Sequence, residues 1–412
     1  MYKEVTACRA CGNTELVQVL DLGTQALTGV FPKTRGQQVT SGPLRLVKCV
    51  GSDDACGLLQ LQHTYDLREL YGDNYGYRSG LNPAMVSHLR DTVSRILSRV
   101  SLQPDSLIID IGANDSTTLQ AFPAEGNLLV GIDPTGKKFR DYYPAHIQLI
   151  PDFFSAETVR RHYGARKAAV ITSFSMLYDL EEPMRFVREI REVLADDGIW
   201  VFEQSYMPTM LRRNSYDTVC HEHLEYYSLR QIAWLLERAD MKALDVEFND
   251  TNGGSFCVVA GAKGSRQNES PMVRQILEEE RRGGLEELGP FREFASRISE
   301  SKESLLGFLE KSRAAGKSIS GLGASTKGNV LLQYCNISTS EVEKIGDVNR
   351  DKFGSYTPGT LLPIVSEEEV LTEHADYLLV LPWHFRHFFE SRVHLRGRTL
   401  VFPLPTLEAV ML

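Results

Sequence analysis

A chain of 412 residues is long enough for two or three domains, and 42% hydrophobic with 24% charged residues is an ordinary globular balance that permits a substantial core. The net charge of -9 argues against a dedicated nucleic-acid binder, whose footprint is a basic stripe, while leaving room for a local basic pocket. The opening Met1-Tyr-Lys-Glu-Val-Thr lacks a charged-then-apolar signal pattern and no apolar run reaches about 18 residues, so a cytoplasmic protein without membrane contact is expected.

Residues 1–65 read as short strand-like pieces broken by Gly, Pro and cysteine pairs, with too little core to fold unaided. Four of the seven cysteines fall here: Cys8 and Cys11, then Cys49 and Cys56. In a reducing compartment such thiolates suit Zn2+ better than disulfides, and a four-thiolate tetrahedron would supply the missing folding energy. Cys49 and Cys56 are separated by six residues, wider than the usual two to four, and buried or free thiols are the alternative.

A Gly- and Tyr-rich stretch, Leu67 to Gly80, is followed by helical spacing from Pro83 to Ser98, with Met85, Val86, Leu89, Val93, Ile96 and Leu97 on one face. Leu107-Ile-Ile-Asp-Ile-Gly-Ala-Asn-Asp-Ser is an apolar strand running into a glycine turn, then a helix expected to begin near Ser116. Strands follow at Leu128–Ile132, ending in Asp133, and at Ala168–Thr172, ending in Ser173. After a helix over Pro183–Leu194 comes a fourth strand, Gly198-Ile-Trp-Val-Phe-Glu. This alternation implies a parallel sheet covered on both faces. A charged helical stretch from Ser270 to Ser304 reads as a solvated linker, and Ile319-Ser-Gly-Leu-Gly-Ala-Ser-Thr-Lys-Gly-Asn opens a second, smaller strand-turn-helix unit. The expected class is therefore α/β: a zinc-binding domain over 1–65, a Rossmann-like core over 66–270, a helical linker over 271–304 and a smaller Rossmann-like domain over 305–412.

Asp110-Ile-Gly-Ala-Asn-Asp-Ser resembles the first motif of class I S-adenosylmethionine (SAM) methyltransferases. It has one glycine, Gly112, where a dinucleotide turn wants G-x-G-x-x-G, which favours SAM over NAD. Asp110, Gly112, Asn114 and Asp115, with Ser173 and the ribose acceptor Asp133, are the expected cofactor residues. Tyr216-Asp-Thr-Val-Cys-His-Glu-His-Leu-Glu-Tyr-Tyr-Ser follows the fourth strand. Its His221, Glu222 and His223 suit a metal site, a structural cluster or acid–base catalysis, and the place at the ligand edge favours catalysis.

The four cysteines, Tyr75-Gly-Tyr-Arg-Ser-Gly, Asp110 to Asp115, His221-Glu-His-Leu-Glu-Tyr-Tyr-Ser, Asn252-Gly-Gly-Ser, Gly323-Ala-Ser-Thr-Lys-Gly-Asn, Tyr356-Thr-Pro-Gly-Thr and Leu381-Pro-Trp-His-Phe form an ordered set over essentially the whole chain. The set resembles the nucleotide-sugar C-methyltransferases that act on keto-deoxysugars. That resemblance implies SAM, one structural zinc, and a 4-keto sugar on a nucleoside diphosphate methylated at C3. It implies His223 as general base, flanked by Glu222 and His221, with the sugar met by Tyr75, Tyr77 and Ser79. Family members commonly carry Tyr where this chain has Cys220, and a histidine where it has Tyr178, so Tyr178 joins the expected catalytic group as a donor to the keto oxygen.

Gly321-Leu-Gly-Ala-Ser-Thr-Lys-Gly-Asn is not a Walker loop, because Gly328 follows Lys327. It reads as an interdomain turn or a phosphate contact, and the resemblance favours substrate contact by Lys327 and Asn329. Asn252 sits in a tight turn or a pocket loop, and Trp383-His-Phe reads as base stacking or core. The competing functions are an O- or N-methyltransferase, a SAM-fold epimerase, and a non-catalytic zinc-containing binding protein; a monomer or a dimer is expected.

Overall fold

The computed structural model of the protein describes residues 2–51, 54–66, 69–70 and 78–412. Tyr75 and Tyr77 lie outside the described residues. The N-terminal unit holds β1 (Tyr2–Glu4), β2 (Leu16–Ala26), β3 (Ser41–Cys49), β4 (Leu59–Leu61) and β5 (His63–Tyr65). Leu20 and Leu22 on β2 flank the exposed Asp21, and Leu44 and Leu46 on β3 flank the half-buried Arg45, which buries one face of the antiparallel pair. At 11 and 9 residues these two strands are longer than the short pieces read from the sequence. Register shifts on β2, between Gln18 and Leu20 and between Asp21 and Thr24, had masked the alternation.

Helix α1 (Pro83–Arg99) starts where Asn82 caps the Ala84 amide and Pro83 fits the first turn. It buries Leu89, Val93 and Ile96 against one face of the central sheet. That sheet takes β6 (Ser106–Ile111), β7 (Asn127–Ile132), β8 (Ile147–Ile150), β9 (Ala168–Phe174) and β10 (Leu194–Ser205), with α2 (Ala156–Tyr163) and α3 (Pro183–Val193) between them. After α4 (Met207–Arg212) the chain makes β11 (Glu225–Tyr226), which leaves this sheet and pairs with β4 of the N-terminal unit. Helix α5 (Leu229–Arg238), β12 (Met241–Asn249) and β13 (Ser255–Ala262) complete the domain. The spatial order is β12-β13-β10-β9-β6-β7-β8, with β13 antiparallel to both neighbours and the other strands parallel. This is the class I methyltransferase sheet, and its ligand edge lies at the carboxyl ends of β6, β7 and β9.

Two features differ from the sequence reading. The helix expected near Ser116 is only a 3-10 turn, Leu119–Ala121, because Asn114 and Ser116 hold positive φ and Pro123 disfavours helix at Phe122. Strand β8 went unread because four residues carry too little pattern without β7 beside them.

Helices α6 (Pro271–Arg282) and α7 (Gly289–Ala314) lead to the second Rossmann-like unit, with α7 running past the expected linker boundary. This unit has β14 (Ile319–Leu322), α8 (Thr326–Tyr334), β15 (Ile345–Asp347), β16 (Ile364–Ser366), β17 (Tyr377–Val380), β18 (Thr399–Phe402) and β19 (Glu408–Met411). Its order is β16-β15-β14-β17-β18-β19, parallel except for β19. It repeats the central domain's switch point. Asp133 accepts the amides of Asn114 and Thr135, both at 2.7 Å, and Asp347 accepts those of Ala324 and Asn349 at 2.8 and 2.7 Å. One continuous core links β2–β4, α4, the 216–226 segment, α7 and the C-terminal sheet. Among the described residues no helix is long and apolar enough to cross a membrane.

Candidate functional site

The four N-terminal thiols converge. All sulfurs of Cys8, Cys11, Cys49 and Cys56 lie within 4.8 Å of one another, with Cys8–Cys56 at 3.5 Å and Cys11–Cys49 at 3.6 Å. A zinc tetrahedron with bonds of about 2.3 Å has sulfur–sulfur edges of about 3.8 Å, so the cluster fits the metal. The wide spacing of the second pair is hairpin geometry: Cys49 ends β3 and donates its amide to the Leu58 carbonyl at 2.8 Å, which folds Cys56 back beside it. Asn13 donates to the Cys49 sulfur at 3.3 Å. Four thiolates leave no open position for water, so the zinc is structural.

At the cofactor edge, β6 ends in a turn whose Gly112, Asn114 and Ser116 have φ of 71°, 49° and 62°. Glycine at 112 serves this left-handed backbone, since an added Cβ would only reach ordinary contact with Met176. Asn114 Oδ1 accepts the Ser79 amide at 3.1 Å, and Asp115 accepts the Gly80 amide at 3.0 Å and pairs with Arg78 at 3.3 Å. Ser79 and Asp115 therefore build the wall of the edge. Asp110 is buried beneath it, bound by the Thr172 hydroxyl at 2.6 Å, and burial raises its carboxyl to about 7. The hydroxyl of Ser173 is taken by the Trp200 indole at 3.0 Å. Asp133 stands at the tip of β7, and just past β8 the exposed Phe153 lies on the same edge. The sequence reading did not single out Phe153, because the strand β8 that brings it to this edge is not legible in the sequence.

The His-Glu-His segment divides three ways. His223 donates Nδ1–H to the Thr218 carbonyl at 3.0 Å and packs its ring 4.4 Å from that of Tyr178. Burial, then the nearby Lys327 cation, lower it to about 4, so it is neutral with Nε2 as the free base. Glu222 lies against the N-terminal unit, where a Cβ on Gly29 would stand 2.9 Å from its Oε1 and Thr28 approaches Oε2 at 3.5 Å. Burial raises its pKa, with Cys220 and Thr28 as opposing donors. His221 is not brought to this place. Fully buried, it packs edge-on against Tyr65 at 4.6 Å, inside the N-terminal unit's contact, and burial lowers it to about 4.

Beyond His223 lies a narrow cavity between the central and C-terminal domains, lined by Ser205, Tyr206, Thr218, Asn252, Lys327 and His384, among others. Lys327 Nζ donates to the Asn252 carbonyl at 2.7 Å, and Asn252 holds a left-handed φ of 54°. Asp217 is buried with one oxygen bound to the Trp383 indole at 2.8 Å and the other without a hydrogen-bond partner among the described residues. Asn329 faces elsewhere: fully buried, it pins the C-terminal domain to the N-terminal unit by donating to the Thr28 carbonyl at 2.7 Å. Asp217 and His384 were not singled out from the sequence, because only the domain packing places them beside Lys327.

A class I sheet with an intact ligand edge and a zinc unit at its flank define a SAM-dependent methyltransferase. Residues 8–71 match a domain described as zinc binding, 85–246 a methyltransferase domain, and 250–405 the C-terminal domain of C-methyltransferases. The C-methyltransferase NovU of Streptomyces niveus is 30% identical over 422 aligned positions, covering 98% of this chain and 97% of its own. The chain belongs to this C-methyltransferase family. Solved structures share less: mitomycin 7-O-methyltransferase MmcR is 16% identical over 44% of this chain and 55% of its own, with a TM-score of 0.34. The YcgJ protein from Bacillus subtilis is 14% identical over 42% and 95%, with a TM-score of 0.31.

Metal analysis of the native protein should find one zinc per chain. Chelation should raise hydrogen exchange in β2–β4 and β11 more than in β6 and β9; a metal-free but equally protected N-terminal unit would contradict the assignment.

Proposed function

We propose that the protein methylates C3 of a nucleotide-linked 4-keto-deoxysugar, with His223 as the base. The observation that carries this is the state of His223: its Nδ1 is committed to the Thr218 carbonyl, leaving Nε2 unprotonated, and both Thr218 and the Lys327 whose charge acts on this ring line the interdomain cavity. A carbon beside a carbonyl releases its proton only if the enolate oxygen is stabilised as it forms, so the site needs a base and a hydrogen-bond donor. Tyr178, in ring contact with His223, is the donor for the C4 oxygen, and Glu222, whose pKa burial raises, stands within the same segment. Lys327 holds the substrate's anionic side from across the cavity, and its charge also keeps His223 neutral. Bound SAM supplies an electrophilic methyl group. Asp133 accepts its ribose hydroxyls, the 112–116 turn gives it open backbone, and Phe153 offers a face to its adenine. An O- or N-methyltransferase would not need the base, so the base decides between the readings.

Exchanging Asp133 for Ala should weaken SAM binding by about 1.5–3 kcal/mol, read by calorimetry, because a charged acceptor is lost. His223→Asn should keep SAM and sugar binding and lose turnover by about 10²–10⁴-fold. It should also lose exchange of the C3 hydrogen in heavy water with S-adenosylhomocysteine in place of SAM; full methylation by the folded variant would pass the proton to another group. Since a lowered pKa keeps the base neutral in acid, kcat/KM should stay within about twofold between pH 7.5 and 5.5, where an ordinary imidazole would lose about tenfold.

A further inference from the structure

Two loops of the zinc unit grip the chain just after His223, one at Glu225 and one at Gln231. Arg9 stands between the ligands Cys8 and Cys11 and is buried with its guanidinium inside the protein. It donates to the carbonyls of Leu61 and, at 3.3 Å, His63, and to the Thr64 hydroxyl at 2.8 Å, while its own amide donates to Gln60 Oε1 at 3.0 Å. The same guanidinium faces Glu225, two residues beyond His223, at 4.0 Å. Neither carboxylate oxygen of Glu225 has a hydrogen-bond partner among the described residues, so Arg9 is its counter-charge. Burial raises the Glu225 pKa and the Arg9 cation opposes that shift, which favours the Glu225 carboxyl group turned toward Arg9. At the second grip Gln231 donates to the carbonyls of the ligand Cys56, at 3.2 Å, and of Gly57, at 3.3 Å. Its Oε1 accepts the amide and hydroxyl of Ser228, at 3.1 and 2.7 Å, which closes the start of α5.

Between His223 and these grips the backbone is shared. Leu61 donates its amide to the Leu224 carbonyl at 2.8 Å, and Leu224 donates its own to the Tyr178 carbonyl at 2.8 Å. His223 therefore stands at a seam, held by Thr218 and Tyr178 on one side and by the zinc unit on the other. Zinc joins the Cys8–Cys11 turn to the Cys49–Cys56 hairpin at one point, so it sets the distance between the Arg9 grip and the Gln231 grip. We propose that the zinc unit positions His223 through Arg9–Glu225 and Gln231–Cys56, making Arg9 and Gln231 positioning residues for methyl transfer. The proposal rests on the reading of His223 as the base. The SAM edge lies at the ends of β6, β7 and β9, and its residues Gly112, Asn114 and Asp133 make none of the contacts of these grips among the described residues.

The test uses full-length, zinc-loaded Arg9→Met and Gln231→Met, with Arg9→Lys as the conservative partner. Zinc content and SAM affinity should match the unaltered enzyme. In both Met variants kcat should fall by about 10–100-fold, the scale of a displacement of roughly 1 Å at the reacting group. KM should move by no more than about twofold, and Arg9→Lys should recover part of kcat. Amides of His223 and Leu224 should exchange faster in both Met variants, and in the chelated native protein with SAM bound. Unchanged kcat and unchanged exchange at these two amides in folded, zinc-loaded variants would overturn the coupling. If Arg9→Met does not fold, Gln231→Met carries the test alone. Should His223→Asn retain turnover, the base reading fails, whereas the exchange at His223 and Leu224 still decides the coupling by itself.

Discussion

The short pairing of β11 with β4, centred on the bond from the Leu61 amide to the Leu224 carbonyl, is the constraint from which the rest of the site follows. Residues 224–226 come from the central domain but spend backbone hydrogen bonds on β4 of the N-terminal unit. A buried segment cannot leave such groups unpaired. The zinc unit, the segment carrying His223 and the turn carrying Tyr178 are therefore joined through the backbone, and the N-terminal unit is packed into the central domain rather than appended to it.

The two Rossmann-like units repeat one device and use it differently. In both, an aspartate at the tip of the second strand accepts two amides and shapes the turn after the first strand. At Asp133 that turn opens toward the donor edge. At Asp347 the Lys352 ammonium reaches the carboxylate at 3.4 Å and the Ala324 carbonyl at 2.7 Å, with Phe31 of the N-terminal unit beneath it. The second unit instead turns its α8 terminus toward the central domain, where Lys327 meets Asn252 and the cavity beside His223.

Burial does the electrostatic work there. It lowers the His223 pKa to about 4 and raises that of Glu222, so one buried environment shifts two adjacent residues in opposite directions. Lys327 strengthens the first effect from across the domain boundary. The chemistry of the segment is thus set by its surroundings more than by its composition.

Much of the architecture was legible in the chain. The buried run Leu107 to Ile111, the capped helix from Pro83 and the cysteine pairs are local signals, because a strand, a helix start and a metal ligand each depend on near neighbours. His223 was legible as a candidate base from its place after the fourth strand. Its free nitrogen was not, since that depends on the Thr218 carbonyl. Tertiary structure alone separated His221 from His223, two residues apart, by turning one into the contact with Tyr65 and the other toward Tyr178. It also spent Ser173 on Trp200 and Asn329 on Thr28, and brought Asp217 and His384 to Lys327 from distant elements. Residue types announce what chemistry is available; which nitrogen, oxygen or ammonium is left to perform it depends on hydrogen bonds made by residues far away in the chain.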